Sequence, residues 1–175
     1  MFVNLTDVFT NEGKVVTVQA ETELEQIKIG DTIFSVKDKT PVNLTFTNIG
    51  KGKARITGDV GITFSMNCDR CLKPVDKTLV LQFDREVFTS DMIETIPDGA
   101  EDQEFMDGYQ FNMEDLLNNE IVINWPMKVL CKPDCKGICR QCGQDLNTGT
   151  CDCDTFVPDP RMAVIKDIFN GNKEV

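Results

Sequence analysis

Eight cysteines and not one histidine in a chain of 175 residues constrain this protein more than any other feature. Without imidazole the chain can build no Ser/His/Asp or Cys/His catalytic arrangement, no histidine-ligated zinc centre and no His-carboxylate iron site. Met1 to Thr10 shows neither the basic start nor the apolar run of a signal peptide, and no stretch approaches the ~18 apolar residues of a membrane span. The expected setting is therefore the reducing cytoplasm, with no membrane attachment. There, eight thiols point to metal ligation rather than to four disulfides.

The thiols fall into two sets, Cys68 and Cys71 in the middle of the chain, and Cys131, Cys135, Cys139, Cys142, Cys151 and Cys153 further on. Structural zinc takes four thiolates, and a Cys-x-x-Cys turn places two of them on one ion. In the turn Cys139-Arg140-Gln141-Cys142, the following Gly143 lets the backbone fold back so that amides can point at the sulfurs. The short spacer to Cys151-Asp152-Cys153 assigns Cys139, Cys142, Cys151 and Cys153 to one site. Cys68, Cys71, Cys131 and Cys135 would then make a second, stapling the amino-terminal sheet to the carboxy-terminal segment. Pairing Cys68 and Cys71 with Cys139 and Cys142 fits the count equally well. In either case the shells are closed, so one or two zinc ions would be structural and no catalytic residue is expected.

Two other thiol chemistries carry less weight. The spacing Cys135-x-x-x-Cys139-x-x-Cys142 is that of the cluster ligands in radical S-adenosylmethionine enzymes. It is not followed by the partial barrel those enzymes need. A thiol-disulfide oxidoreductase would place Cys-x-x-Cys at the start of a helix that follows a strand, and neither pair is so placed.

Period-two alternation marks strands over Val15 to Ala20, Ile27 to Val36, Val42 to Asn48, Ala54 to Asn67 and Thr78 to Phe88. Gly50-Lys51-Gly52 supplies a hairpin turn between the third and fourth. Residues 84 to 107 carry nine acids against Arg85 alone, which is most of a net charge of −11, and read as a solvated loop or as a docking site for a basic partner. Asn112 caps a helix over 112–124, with Glu114 and Asp115 in its first turn and Leu116, Leu117 and Ile121 on its apolar face. Trp125 is expected to anchor the core before Pro126 stops the helix. A last helix would start at Asp159-Pro160 and end near Gly171, burying Ile165, Ile168 and Phe169.

The expected fold class is α+β: a twisted antiparallel sheet with a short helix, and a cysteine-rich zinc-ribbon-like segment closed by a helix. The corresponding domains are 1–125, which holds the sheet, acidic loop and helix, and 126–175. One local feature opposes the acidity, since Lys128, Lys132, Lys136 and Arg140 face only Asp134, and Arg55, Arg70 and Lys73 could extend that patch. These cations either balance thiolate charge or contact phosphate.

A longer pattern joins these pieces. Gly58-Asp59-Val60, then Cys68-Asp69-Arg70-Cys71-Leu72-Lys73-Pro74, then Trp125-Pro126, Cys131, Cys135-Lys136-Gly137-Ile138-Cys139, Cys142-Gly143, Asn147, Cys151-Asp152-Cys153 and Asp159-Pro160-Arg161 together resemble the YceD-like family, from about residue 10 to 169. That family is described as large-ribosomal-subunit RNA accumulation proteins of bacteria and plastids, acting in synthesis, processing or stability of 23S ribosomal RNA. The resemblance implies a non-enzymatic ribosome-biogenesis factor whose partner is a ribosomal protein or a large-subunit rRNA precursor. It maps Arg70 and the cysteine motifs onto the family pattern and the acidic loop onto a variable region. The net charge favours a basic protein partner unless the 128–140 patch is presented alone. From the zinc knuckle alone, a generic zinc-ribbon interaction module would be the alternative.

Overall fold

In the computed structural model, residues 1–89 and 103–153 are described. The chain divides into two units, Met1–Asn67 with Pro74–Val129, and Cys68–Lys73 with Leu130–Val175. Strand takes 48% of the described residues and helix 11%. The fold is thus mostly β, which corrects the α+β expectation. Strand reaches beyond the expected bounds to Gly50 and back to Pro74, further strands form at Phe2–Asn4, Met106–Asp107 and Gln110–Asn112, and the closing helix expected from Asp159 falls outside the described residues.

The sheet unit begins with β1 (Phe2–Asn4), the short helix α1 (Thr6–Thr10) and β2 (Val15–Ala20). The segment read as one strand over 27–36 is a hairpin, β3 (Gln26–Ile29) and β4 (Thr32–Lys39). Ile29 pairs with Thr32 across Gly30-Asp31, and Gly30 has φ +59°, the positive first turn position that a Gly-x hairpin favours. Next come β5 (Val42–Gly50), β6 (Lys53–Asn67) and β7 (Pro74–Phe88), followed by β8 (Met106–Asp107) and β9 (Gln110–Asn112) and the helix α2 (Met113–Ile123).

Strand β6 organises the unit. It pairs antiparallel with β5 through its first half, with β4 around Ile62 to Phe64, and with β7 along its whole length, from Lys53↔Phe88 to Asn67↔Pro74. The six-stranded sheet runs β2-β5-β6-β4-β3 with β7 on β6, and a smaller sheet runs β1-β9-β8. Gly58 explains one close approach, because a Cβ there would lie 2.5 Å from the Asn43 carbonyl and 2.6 Å from the Phe83 ring. The 84–107 segment is not one loop. Asp84 and Glu86 sit in β7, where Leu81, Phe83 and Val87 keep the alternation buried, Asp107 sits in β8, and 90–102 lie outside the described residues.

The core holds Leu44, Phe46, Ile56, Ile62, Phe64 and Leu81 from the sheet and Met113, Leu116, Leu117 and Ile121 from α2. Trp125 packs against it as expected, its ring 4.7 Å from Phe34 and 5.2 Å from Phe64. The Asn112 carbonyl oxygen of the side chain accepts from the Glu114 N–H at 3.2 Å, which caps α2. Glu114 in turn accepts the Thr22 hydroxyl at 2.7 Å and the Glu23 N–H at 3.1 Å, fixing the β2–β3 connection to the helix. Buried Glu120 is balanced by Arg85 at 2.7 Å, a pair that helical spacing does not announce.

Candidate metal centre

The six residues Cys68–Lys73 connect β6 to β7 in sequence but belong to the cysteine unit. They form a turn whose backbone is repeated further along the chain. The Leu72 N–H donates to the Cys68 carbonyl at 2.9 Å, and the Gly143 N–H donates to the Cys139 carbonyl at 2.9 Å. The Cys68 N–H donates to the Lys73 carbonyl and the Cys139 N–H to the Gln144 carbonyl, each at 2.8 Å. Both turns end on a left-handed residue, Leu72 at φ +60° and Gly143 at φ +74°. Gly143 advertises this fold-back in sequence. Leu72 does not, so the kinship of the two turns is visible only in three dimensions.

These turns bring the cysteines together in fours. The sulfurs of Cys68, Cys71, Cys131 and Cys135 lie within 4.8 Å of one another, as do those of Cys139, Cys142, Cys151 and Cys153. Cys68 Sγ is 3.8 Å from Cys135 Sγ, and Cys71 Sγ is 3.5 Å from Cys131 Sγ. A disulfide needs ~2.05 Å. Four thiolates at ~2.3 Å from one tetrahedral ion would stand about 3.8 Å apart. All eight cysteines are unbridged, and each group could hold a metal ion. The alternative that joined Cys68 and Cys71 to Cys139 and Cys142 is not the arrangement the fold makes.

The electrostatics match a cation-ready site. Burial pushes the Cys68 thiol up, but backbone N–H groups of Cys131, Cys71 and Arg70 outweigh it and bring the group down to about 6. The N–H groups of Cys142 and Gln141 likewise draw Cys139 down to about 6. In each four another thiol keeps its proton. Cys131 is pushed up to about 12 by its hydrogen bond to Cys71 and by burial, and Cys153 to about 12 by Cys142 and by burial. Four packed thiols cannot all ionise against one another, whereas a divalent cation among them removes that penalty.

The first group also has an outer layer. Asn147 Nδ2 donates to Cys135 Sγ at 3.4 Å, and its side-chain oxygen accepts the Lys136 N–H at 2.9 Å. Asp145 holds Asn147 in place by accepting its backbone N–H at 2.9 Å and its side-chain amide at 2.7 Å. Lys73 reaches Asp145 at 2.6 Å and, with the Asn147 N–H, holds that carboxyl at about 2. The Asp-x-Asn spacing is an Asx-turn signal, so the turn is readable in sequence, but its target on Cys135 is not.

The candidate contact residues separate. Lys128 belongs to the sheet unit, and Lys132 has Asp134 3.8 Å away. The Arg70 guanidinium donates to the Cys135 carbonyl at 2.6 Å. Arg70, Lys136 and Arg140 line one surface cavity of about 430 Å³ with Asp69, Leu72, Gly137 and Ile138. Of the possible extensions, Arg55 is taken up by Asp84 and Lys73 by Asp145.

Residues 56–169 match the family model described as Large ribosomal RNA subunit accumulation protein YceD, a stretch that holds all eight cysteines. The chain belongs to the YceD family. Like other YceD proteins it falls under a name that refers to ribosomal RNA accumulation and to no reaction. It is 25% identical over 136 residues to "Large ribosomal RNA subunit accumulation protein YCED homolog 1, chloroplastic" of Zea mays, covering 59% of this chain and 45% of that protein. The chain therefore spans less than half the length of that curated relative. No solved structure matches. Among the described residues no helix is long and apolar enough to cross a membrane.

Proposed function

We propose that this chain is a non-enzymatic ribosome-biogenesis factor, supporting the synthesis, processing or stability of 23S rRNA in the cytoplasm. Its cysteine unit would be built around two structural zinc ions. One observation carries the reading: the YceD match over residues 56–169 takes in both four-cysteine groups, each of which could hold a metal ion. Four soft thiolates without an open position suit structural zinc and leave no place for a metal-activated water. Cys68, Cys71, Cys131 and Cys135 would hold one ion, and Cys139, Cys142, Cys151 and Cys153 the other. The ions would supply folding energy and charge neutralisation, and the peptide around them would present the contact surface. The partner is a large-subunit rRNA precursor or a ribosomal protein bound to it.

Depletion of the protein from its native cell tests the function. A fall of 23S relative to 16S rRNA, with the tagged protein co-sedimenting with large-subunit precursors, is expected. Unchanged rRNA ratios and sedimentation only as free protein would overturn the reading. Insulin reduction by the metal-loaded protein is expected to be absent, and measurable turnover would return the thiols to redox chemistry.

A further inference from the structure

The cavity lined by Arg70, Lys136 and Arg140 gathers three cations on one concave surface. Lys37, Arg55, Lys73 and Arg85 all pair with carboxylates. Among the described residues, Lys136 and Arg140 have no ion-pair partner. Among the described lining residues, three cations and one carboxylate, that of Asp69, thus share one concave surface in a chain of net charge −11. Arg70 is fixed there through its bond to the Cys135 carbonyl, so one guanidinium is held in place while the other two cations remain available. Leu72 stands at the same cavity, 62% exposed, and its backbone is held at φ +60° by the first cysteine turn. An apolar side chain kept outward beside three cations offers a base or ribose face something to pack on while phosphate meets the charges.

We propose that this cavity binds the phosphodiester backbone of unpaired RNA, with Lys136 and Arg140 taking phosphate oxygens, Arg70 framing the site and Leu72 packing against the nucleoside. The proposal rests on the ribosome-biogenesis reading and deepens it by committing to RNA rather than to an acidic protein. Binding would be confined to this spot. A strongly acidic chain repels nucleic acid elsewhere, so the contact involves about two phosphates and the salt dependence is shallow, a slope of about −1.4 in log K against log salt for single strands.

The test uses the full-length, metal-loaded protein and a fluorescent single-stranded transcript of large-subunit rRNA, titrated at several salt concentrations. Arg140→Gln and Lys136→Gln are each expected to weaken binding and to lower the slope by about 0.7 to 1, with metal content unchanged. Leu72→Ala should weaken binding without changing the slope. Lys51→Gln, in the turn between β5 and β6, serves as a control and should bind like the parent. A polyglutamate peptide runs in parallel, and peptide binding that depends on Lys136 and Arg140 while RNA binding does not would assign the cavity to a protein and overturn the proposal. So would RNA affinity indifferent to both substitutions. If those variants still co-sediment with precursor particles, only the cavity assignment falls. If the parent chain neither binds transcript nor co-sediments, the broader reading falls with it.

Discussion

In the sheet unit, among the described residues, the largest fully buried side chains are phenylalanine, leucine, isoleucine and methionine. In the cysteine unit, among the described residues, the buried side chains are Cys68, Cys71, Cys135 and Cys139, and no aliphatic or aromatic side chain is buried there. The two units therefore meet chain entropy in different ways. Ordering each residue costs ~1–2 kcal/mol, and each large side chain taken from water returns ~1.5–3 kcal/mol. Among the described residues the sheet has that return and the cysteine unit does not. What it has instead is two sets of four thiols, and a structural zinc ion contributes ~10–16 kcal/mol.

The largest effect should come from taking the metal away. Under reducing conditions with a strong chelator, the amides of Leu72, Ile138, Gly143 and Leu146, hydrogen-bonded within the cysteine unit, are expected to lose protection from hydrogen exchange. The paired amides of β5 and β6 should keep theirs. Retained protection at those four positions would show that the cysteine unit folds without metal and erase the contrast. Cys71→Ser and Cys142→Ser divide the effect, each expected to lower the metal content from two ions to one by elemental analysis. A variant that lost both would mean the groups are not separate sites.

The converse experiment strikes the sheet. Phe46 is fully buried, its ring 5.3 Å from Phe111, and Phe46→Ala should cost ~3–5 kcal/mol, read as a lower urea midpoint for the loss of sheet signal. Metal content before unfolding should remain at two ions. A substitution in the hydrophobic core that released metal would make the two modes of stabilisation one.

The same contrast explains what could be read from the sequence. Alternation of Leu44 and Phe46, or Ile62 and Phe64, is a direct imprint of burial on one face of a strand, and Cys-x-x-Cys is a direct imprint of two sulfurs on one ion. Strand β2 and the helix after Asn112 were legible for that reason, and so was the count of two fours, but the choice between two groupings of the cysteines was not. Interactions between positions distant in sequence leave no such imprint. The Gly30-Asp31 turn is a two-residue interruption inside a continuous apolar alternation, so β3 and β4 read as one strand. The short β1, β8 and β9 exist through one another's pairing, and α1 is held by Asn48, whose side-chain amide donates to the Val8 and Phe9 carbonyls at 2.7 and 3.2 Å.

A smaller effect separates the two cysteine groups from each other. Among the described hydrogen bonds, Asn147 reaches a sulfur of the first group only. Partners one layer outside the ligands tune metal affinity ~10–100-fold. Asn147→Ala is therefore expected to weaken one metal site by that factor in a competition titration with a chromophoric chelator, and to leave the other as it was. Equal weakening of both would mean that the turn from Asp145 to Thr148 supports the whole unit rather than Cys135.

The smallest and sharpest test lies at the left-handed positions, Leu72 and Gly143. A non-glycine residue there costs ~1–2 kcal/mol, while glycine gives back ~0.5–1 kcal/mol through the entropy of its unfolded chain. Leu72→Gly should therefore be neutral to stabilising by less than about 1 kcal/mol. Gly143→Ala should destabilise by about 1 kcal/mol, and by backbone strain alone, since nothing lies within 4 Å of the added Cβ. Both are read as shifts in the chelator concentration that unfolds the cysteine unit. If Leu72→Gly instead destabilises, the exposed leucine has a packing role and the two turns are less alike than their hydrogen bonds imply. If it stabilises the unit while weakening RNA binding, the strain at Leu72 accompanies a functional contact, the circumstance in which unfavourable backbone conformations persist.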